Sequence, residues 1–269
     1  MAFLFLGMLM PDITSRPVIN IASIYVFNTA QILSRETSDE RALHFSKFAS
    51  VADKSQVPSR TAWLITIVPI LVVDLAIMAL NFGINGRLIV LTALAAMHYL
   101  RRIWEILHVH IYSTHMTHGA IGHLLINNLA VLISLIFCMR YVHPTIYDLP
   151  ASRIVLAVGI ITFLVGEAAV VYHHQLLADL RRGKTGEDAK KYAIPRGGLF
   201  ELVACPHYLG HLISWLGIGI TSQSWLGIIC QLLITLAFFI PRSKRTADWY
   251  TNKFEDYPES RRQLVPYFK

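Results

Sequence analysis

Seven apolar runs, separated by charged or polar stretches, limit what this chain can fold into more than any other feature. They cover residues 18–33, 62–80, 88–100, 124–139, 154–172, 199–220 and 225–240. A helix needs about 20 apolar residues to cross the hydrocarbon core of a bilayer, so the shorter runs must extend into their amphipathic flanks. The pattern predicts an all-α membrane protein, a polytopic bundle of about seven transmembrane helices.

Composition supports the same fold class. Of the 269 residues, 54% are hydrophobic and only 15% are charged, whereas about a quarter of an ordinary soluble domain is charged. The apolar residues 1–10 are expected to be an uncleaved N-terminus, because no basic residue precedes them and no small-residue cleavage pattern follows. The three cysteines, Cys138, Cys205 and Cys230, lie far apart in apolar surroundings and predict neither a disulfide nor a metal pair.

Basic residues are concentrated on one side of the predicted membrane. The segments that follow odd-numbered runs contain 20 of the 24 lysines and arginines, which predicts a cytosolic C-terminus because basic loops resist translocation. Such a face attracts anionic lipid or binds a phosphate-bearing ligand. No nucleic-acid-binding module is predicted. We divide the chain into an N-terminal segment, residues 1–58, with the first helix and a basic cytosolic loop, and a membrane domain, residues 59–269.

Few ionisable groups fall inside the apolar runs, and these are the candidates for function. Asp74 and Glu167 lie in mid-run, where pairing for helix packing and catalysis are equally good interpretations. The twelve histidines include pairs with the spacing of metal ligands, but no repeated histidine box with supporting carboxylates is present. We therefore predict no metal site and interpret most of these histidines as interfacial.

Three segments make the chain recognisable. Residues 173–182 read HHQLLADLRR, residues 192–210 read YAIPRGGLFELVACPHYLG, and residues 249–268 read WYTNKFEDYPESRRQLVPYF. Together they resemble the steroid 5-alpha-reductase family, and the resemblance extends from about residue 59 to the end. A fourth segment, residues 97–113, reads MHYLRRIWEILHVHIYS and is more similar to the trans-2-enoyl-CoA reductase branch and to plant-type homologues.

The resemblance implies an enzyme of the endoplasmic reticulum that uses NADPH to reduce a carbon–carbon double bond conjugated to a carbonyl. Its partners would be the bilayer and a lipid substrate, a 3-oxo-Δ4-steroid or a trans-2-enoyl-CoA, with no obligate protein partner. Tyr99 matches the family tyrosine that hydrogen-bonds the carbonyl oxygen, and His98 or Glu105 would assist it. The cofactor-binding positions of the family fall on Arg181, Tyr192, His207, His211, Arg242 and Tyr250.

Several positions depart from the family pattern. Ile67 occupies the place of a glutamate that the steroid enzymes pair with their tyrosine, and histidines at 207 and 211 replace an asparagine and a glutamate. Val170, His174 and Ala193 also differ from the family's cofactor residues. These changes indicate a divergent branch with another substrate, or a weakly active relative; we favour the first because Tyr99 and the arginines are kept.

Three other function classes compete with the reductase. An isoprenylcysteine-type methyltransferase shares a motif like CPHYLG, but its usual arginine before His-Pro and its Glu-Glu-x-x-Leu pattern are missing here. A lipid-binding relative without catalysis would explain the changed polar positions. A transporter is the weakest of the three, because no inverted repeat is visible in the sequence.

Overall fold

The computed structural model describes residues 16–38, 56–83, 86–112, 114–137, 153–184, 191–223 and 225–267. Within these ranges the chain forms seven α-helices: α1 (Arg16–Glu36), α2 (Ser59–Leu80), α3 (Gly86–His108), α4 (His118–Phe137), α5 (Arg153–Asp179), α6 (Pro206–Ser222) and α7 (Trp225–Lys253). The apolar residues 1–10, Cys138 and the basic loop 39–55 lie outside the described residues. Cys205 is buried, as expected of a small apolar side chain.

Each predicted apolar run coincides with one of these helices. Helices α3 and α7 continue past the charged residues at which their apolar runs end, to His108 and Lys253, and for α3 this is the expected extension into the amphipathic flank at residues 103–112. The sixth run is not one continuous helix. Residues Gly198–Glu201 form a 3₁₀ turn, and α6 begins only at Pro206, a residue whose missing N–H costs nothing in the first turn of a helix.

Helices α2 and α5 are both long and apolar enough to cross a membrane, judged by length and composition. Their large apolar side chains point outward, as at Val72 and Ile161, which are 59% and 60% exposed. Their carboxylic acids, Asp74 and Glu167, are instead buried. An apolar exterior around a partly polar interior is the pattern that lipid, rather than water, favours around a protein.

Glycines bring α5 and α6 into backbone contact. Gly159 and Gly166 of α5 face Gly217 and Gly210 of α6, and the two glycines of each helix are seven residues apart. A Cβ at Gly217 would lie 2.6 Å from the Cα of Phe163 and 2.8 Å from the carbonyl oxygen of Gly159, inside van der Waals contact. Small residues let helices approach this closely in membranes. The approach places the C-terminal half of α5 beside the start of α6.

The C-terminal segment packs against the loop that precedes α6. The Arg262 N–H donates to the Leu202 carbonyl at 2.8 Å, and the Ala204 N–H donates to the Arg262 carbonyl at 2.8 Å. Arg261 donates to the Pro195 carbonyl at 2.9 Å and pairs with Glu201 at 3.3 Å. This part of the recognisable C-terminal sequence therefore holds the loop in place.

A short antiparallel ladder, β1 (Gln56–Pro58) with β2 (His115–Thr117), joins the start of α2 to the start of α4. At the end of the ladder the Ser59 hydroxyl donates to the Thr114 carbonyl at 2.7 Å. Helix α1 is attached to α7, because Glu36 pairs with Arg242 and Arg245 at 3.4 and 3.6 Å.

Candidate active site

A cavity of about 420 Å³ lies among the six helices α2 to α7. Its walls come from the first turns of α2, the first half of α6, the middle of α4, the C-terminal parts of α3 and α5, and much of α7. Most of these segments are near the predicted cytosolic loops, so the cavity lies towards the basic side of the protein. The residues of the candidate site that line it are His98, Tyr99, Arg181, Tyr192, His207, His211, Arg242 and Tyr250.

Tyr99 and His98 are neighbours on α3 and both reach the cavity. Their ring centroids are 5.4 Å apart, and His98 also contacts Trp215, with centroids 5.0 Å apart. Both are almost fully buried. On the opposing helix α2 the cavity wall contains Ile67, so the position of the steroid-type glutamate contributes an apolar surface.

Glu105, the other candidate for assisting Tyr99, lies behind the wall of the cavity. It is fully buried, and it is not among the described residues that line the cavity. Its carboxylate accepts a hydrogen bond from His174 at 3.0 Å and from Arg101 at 2.5 Å. These contacts give Glu105 a role in holding its neighbours rather than in touching a ligand.

The basic and aromatic candidates for cofactor binding form another part of the wall. The Arg181 guanidinium carbon lies 5.0 Å from the centroid of the Tyr192 ring, a cation–π contact. Tyr250 stacks on Tyr257 with centroids 5.4 Å apart and planes nearly parallel. Arg242 is buried to 1% exposure beside Glu36, so a ligand phosphate at Arg242 would share the guanidinium with that carboxylate.

The three histidines that the sequence comparison predicted in place of the family's asparagine, aspartate and glutamate form a contiguous cluster. His174 lies between His207 and His211, with ring centroids 5.3 and 6.0 Å apart, and His211 lies 5.5 Å from His98. The glycine contacts between α5 and α6 hold these rings together. These three histidines therefore lie together on one side of the cavity, whereas Ile67 lies on the opposing helix α2.

Two residues outside the predicted site organise it. Glu167 of α5 accepts a hydrogen bond from Nδ1 of His98 at 2.9 Å, and it also pairs with Arg101. No hydrogen-bond partner of Glu167 could be predicted from the sequence, because His98 is 69 positions away. The sequence feature that could have indicated the pairing is a histidine and a glutamate seven positions apart, which occurs twice: His98 with Glu105, and Glu167 with His174.

One group of side chains has the arrangement of a metal site. Donor atoms of Glu105, His110 and His174 all lie within 4.8 Å of one another. Arg101 and Arg102 already pair with the same carboxylate, at 2.5 and 3.4 Å, and a metal cation would be repelled by both guanidiniums. Burial, together with the neighbouring His174 and Arg102, lowers the pKa of His110 to about 2, so this ring is neutral at physiological pH.

Comparison with known proteins identifies the family. The sequence model of the 3-oxo-5-alpha-steroid 4-dehydrogenase family matches residues 120–269, which is more than half of the chain. The 3-oxo-5-alpha-steroid 4-dehydrogenase 1 of Macaca fascicularis is 30% identical over 249 residues, covering 87% of this chain and 86% of the relative.

Two other relatives match more closely over a shorter segment. The 3-oxo-5-alpha-steroid 4-dehydrogenase 1 of Rattus norvegicus is 41% identical over 110 residues, and steroid 5-alpha-reductase DET2 of Gossypium hirsutum is 39% identical over 110 residues. These segments cover 40% of this chain and about 40% of each relative. From the cavity and these matches together, the chain belongs to the steroid 5-alpha-reductase family.

Proposed function

We propose that this protein is a membrane-embedded reductase of a carbon–carbon double bond conjugated to a carbonyl, with NADPH as the hydride donor. The observation that carries the proposal is one cavity lined both by Tyr99 with His98 and by Arg181, Tyr192, Arg242 and Tyr250. The names of the relatives indicate a steroid substrate. The similarity of residues 97–113 to the enoyl-CoA branch makes a trans-2-enoyl-CoA the second substrate to test.

The side chains of the cavity fit a dinucleotide. Arg181 and Arg242 offer guanidinium groups, which remain charged and bind two phosphate oxygens at once. Tyr192 and Tyr250 offer aromatic surface beside them. These residues would hold a reduced nicotinamide cofactor, which would supply the hydride for the β-carbon of the substrate.

Tyr99 has the chemistry that hydride addition to a conjugated double bond requires. Negative charge develops on the carbonyl oxygen during the reaction, and a buried hydroxyl donor beside that oxygen stabilises the charge more than water does. Tyr99 is 3% exposed, so bulk water competes little with its hydrogen bond. Because the side chain of Ile67 across the cavity is apolar, His98 is the residue that would make the second polar contact to the carbonyl oxygen of the substrate.

The membrane arrangement follows from the charges and the helices. We propose that all seven helices span the membrane, in the endoplasmic reticulum, with the C-terminus in the cytosol. The cavity then opens towards the cytosol, where NADPH is available. Tyr267 is exposed near the C-terminus, so a Tyr267→Cys variant in sealed microsomes, whose cytosolic face is outside, would test the orientation with a membrane-impermeant thiol reagent. Labelling without permeabilisation supports the proposed orientation, and labelling only after permeabilisation contradicts it.

Substitution of Arg181 by Ala should weaken NADPH binding about tenfold or more, because a charge-assisted hydrogen bond is worth about 1.5–3 kcal/mol. The matched control is Arg182→Ala, whose side chain is 64% exposed and pairs with Asp179 on the surface. Titration of both variants in detergent separates the site from general loss of positive charge. Equal NADPH affinity of the two variants would show that Arg181 does not bind a phosphate of the cofactor.

The activity itself is tested by substrate-dependent oxidation of NADPH. Purified protein in detergent is mixed with NADPH and either a 3-oxo-Δ4-steroid or a trans-2-enoyl-CoA, and the saturated product is identified by mass spectrometry. Formation of either saturated product supports the proposal. Tight binding of NADPH without reduction of any enone would favour a relative that keeps the fold without the reaction.

A further inference from the structure

Helices α3 and α5 are joined by two histidine–glutamate pairs in which each helix supplies one residue of each type. His98 of α3 pairs with Glu167 of α5 at 2.9 Å, and Glu105 of α3 pairs with His174 of α5 at 3.0 Å. In both helices the two residues are seven apart, so the pairs lie about 10.5 Å apart along helices that run in the same direction. We call this arrangement the histidine–glutamate ladder.

Arg101 connects the two pairs. Its Nη1 donates to Glu105 at 2.5 Å, and its Nε donates to Glu167. The guanidinium therefore occupies one side of each carboxylate and leaves the other side for a histidine. All five groups are largely buried, where an unpaired charge would be costly, so each pairing supports the geometry of the others.

The contacts determine which ring nitrogen of His98 faces the cavity. An ionised carboxylate only accepts hydrogen bonds, so Nδ1 of His98 carries a hydrogen and donates it to Glu167 at 2.9 Å, a closer contact than the 3.4 Å between the same nitrogen and Nη2 of Arg101. Nε2 is then the nitrogen left to exchange a proton at the cavity that His98 lines. A carboxylate behind a histidine also stabilises the imidazolium that carries such a proton.

We propose that Glu167, held by Arg101, is a positioning residue that makes His98 the proton donor of the cavity. The inference rests on the proposed reductase function. In that reaction the reduced cofactor would give a hydride to the β-carbon and become oxidised, and the α-carbon or the carbonyl oxygen would gain a proton. His98, as the imidazolium, supplies this proton from Nε2 and becomes neutral while Nδ1 keeps its hydrogen.

The rings nearest to His98 that could take part in its reprotonation belong to the same cluster. His211 lies between His98 and His174, with ring centroids 5.5 and 6.0 Å from them. His174 is the histidine of the second pair, so both ends of this line of rings are oriented by a carboxylate. We therefore infer that His174 and His211 take part in proton supply to His98.

The first test measures the tautomer of His98 and needs no substrate. In ¹⁵N-histidine-labelled protein in micelles, long-range proton–nitrogen spectra distinguish the Nδ1–H from the Nε2–H form, and His98→Gln assigns the signal among the twelve histidines. The spectra are compared at a pH where the His98 ring is neutral. There we expect the Nδ1–H tautomer in the parent protein and the Nε2–H tautomer in Glu167→Gln, because Arg101 retains the amide oxygen and the amide NH₂ turns to His98. A neutral Nε2–H tautomer in the parent protein would overturn the proposal.

The second test separates positioning from folding. Glu167→Gln should lower kcat about 100-fold, the usual size of an acid–base contribution, while KM and NADPH affinity change less than about twofold and the solvent deuterium isotope effect rises. Glu167→Asp should recover part of kcat, and the exposed Glu255→Gln is the control. An unchanged kcat and isotope effect in Glu167→Gln would overturn the proposal, even with the reductase activity intact.

The two tests also separate this proposal from the proposed function. If the parent protein reduces neither substrate, the proposed function fails and the tautomer decides whether the ladder orients His98 as inferred. If it reduces an enone and Glu167→Gln is as fast, the proposed function stands and the positioning role is wrong.

Discussion

Tyr99→Phe is expected to reduce the turnover of an enone about 100-fold or more, the effect of removing one hydrogen-bond donor to a developing oxyanion. NADPH affinity should be unchanged, because the substitution removes one oxygen and keeps the ring that packs against Ile67 and Ala96 in the core. The measurement is a steady-state determination of kcat and KM together with cofactor titration.

Tyr267→Phe is the matched control for this substitution, since Tyr267 is 85% exposed and should have no effect on turnover. A Tyr99→Phe variant with the kcat of the parent protein would remove Tyr99 from the reaction. Loss of cofactor binding in the same variant would instead indicate that Tyr99 supports the fold of the cavity.

Gly217→Ala should be among the most destabilising substitutions in the protein. The added methyl group would overlap the backbone of Phe163 and approach the carbonyl oxygen of Gly159 to 2.8 Å, and backbone cannot rotate away as a side chain can. Overpacking in a tight core costs about 1–3 kcal/mol. Separation of α5 from α6 would also move His174 away from His211, so cofactor binding should weaken too.

Gly122→Ala in α4 is the control for Gly217→Ala, because nothing lies within 4 Å of a Cβ at Gly122. It should leave stability unchanged or raise it by up to about 1 kcal/mol through helix propensity. Thermal unfolding in one detergent compares the two. A Gly217→Ala protein as stable as Gly122→Ala would contradict the backbone contact between α5 and α6.

The positions of the helices were largely predictable from sequence, because apolar runs depend on local composition. The run at residues 62–80 and α2 (Ser59–Leu80) end at the same residue. The run at 88–100 ends before Arg101, and α3 continues to His108 into the amphipathic flank that its short length predicted, where Arg101 and Glu105 pair inside the protein instead of meeting lipid. Hydropathy counts such charges as a boundary and has no information about their partners.

The site was predictable only where the family pattern supplied it. Tyr99, Arg181 and Arg242 line one cavity as the resemblance implied. The role of Glu167 was not predictable, because its partner His98 lies 69 positions away and only the packing of α3 with α5 brings them together. Asp74 differs from Glu167, because the sequence placed both in mid-run but, in the part of the chain that the structure describes, only Glu167 is paired. Asp74 is buried, and neither of its carboxylate oxygens has a hydrogen-bond partner among the described residues.

Binding of NADPH to the purified protein is the most direct test of the central proposal that this cavity serves a reductase. A ligand that binds only the folded protein stabilises it, by about 2.7 kcal/mol at 100 times its Kd. The melting temperature in detergent should rise with NADPH and remain unchanged with S-adenosylmethionine, and Arg181→Ala should reduce the NADPH effect. Stabilisation by S-adenosylmethionine and none by NADPH would contradict the reductase and indicate methyl transfer.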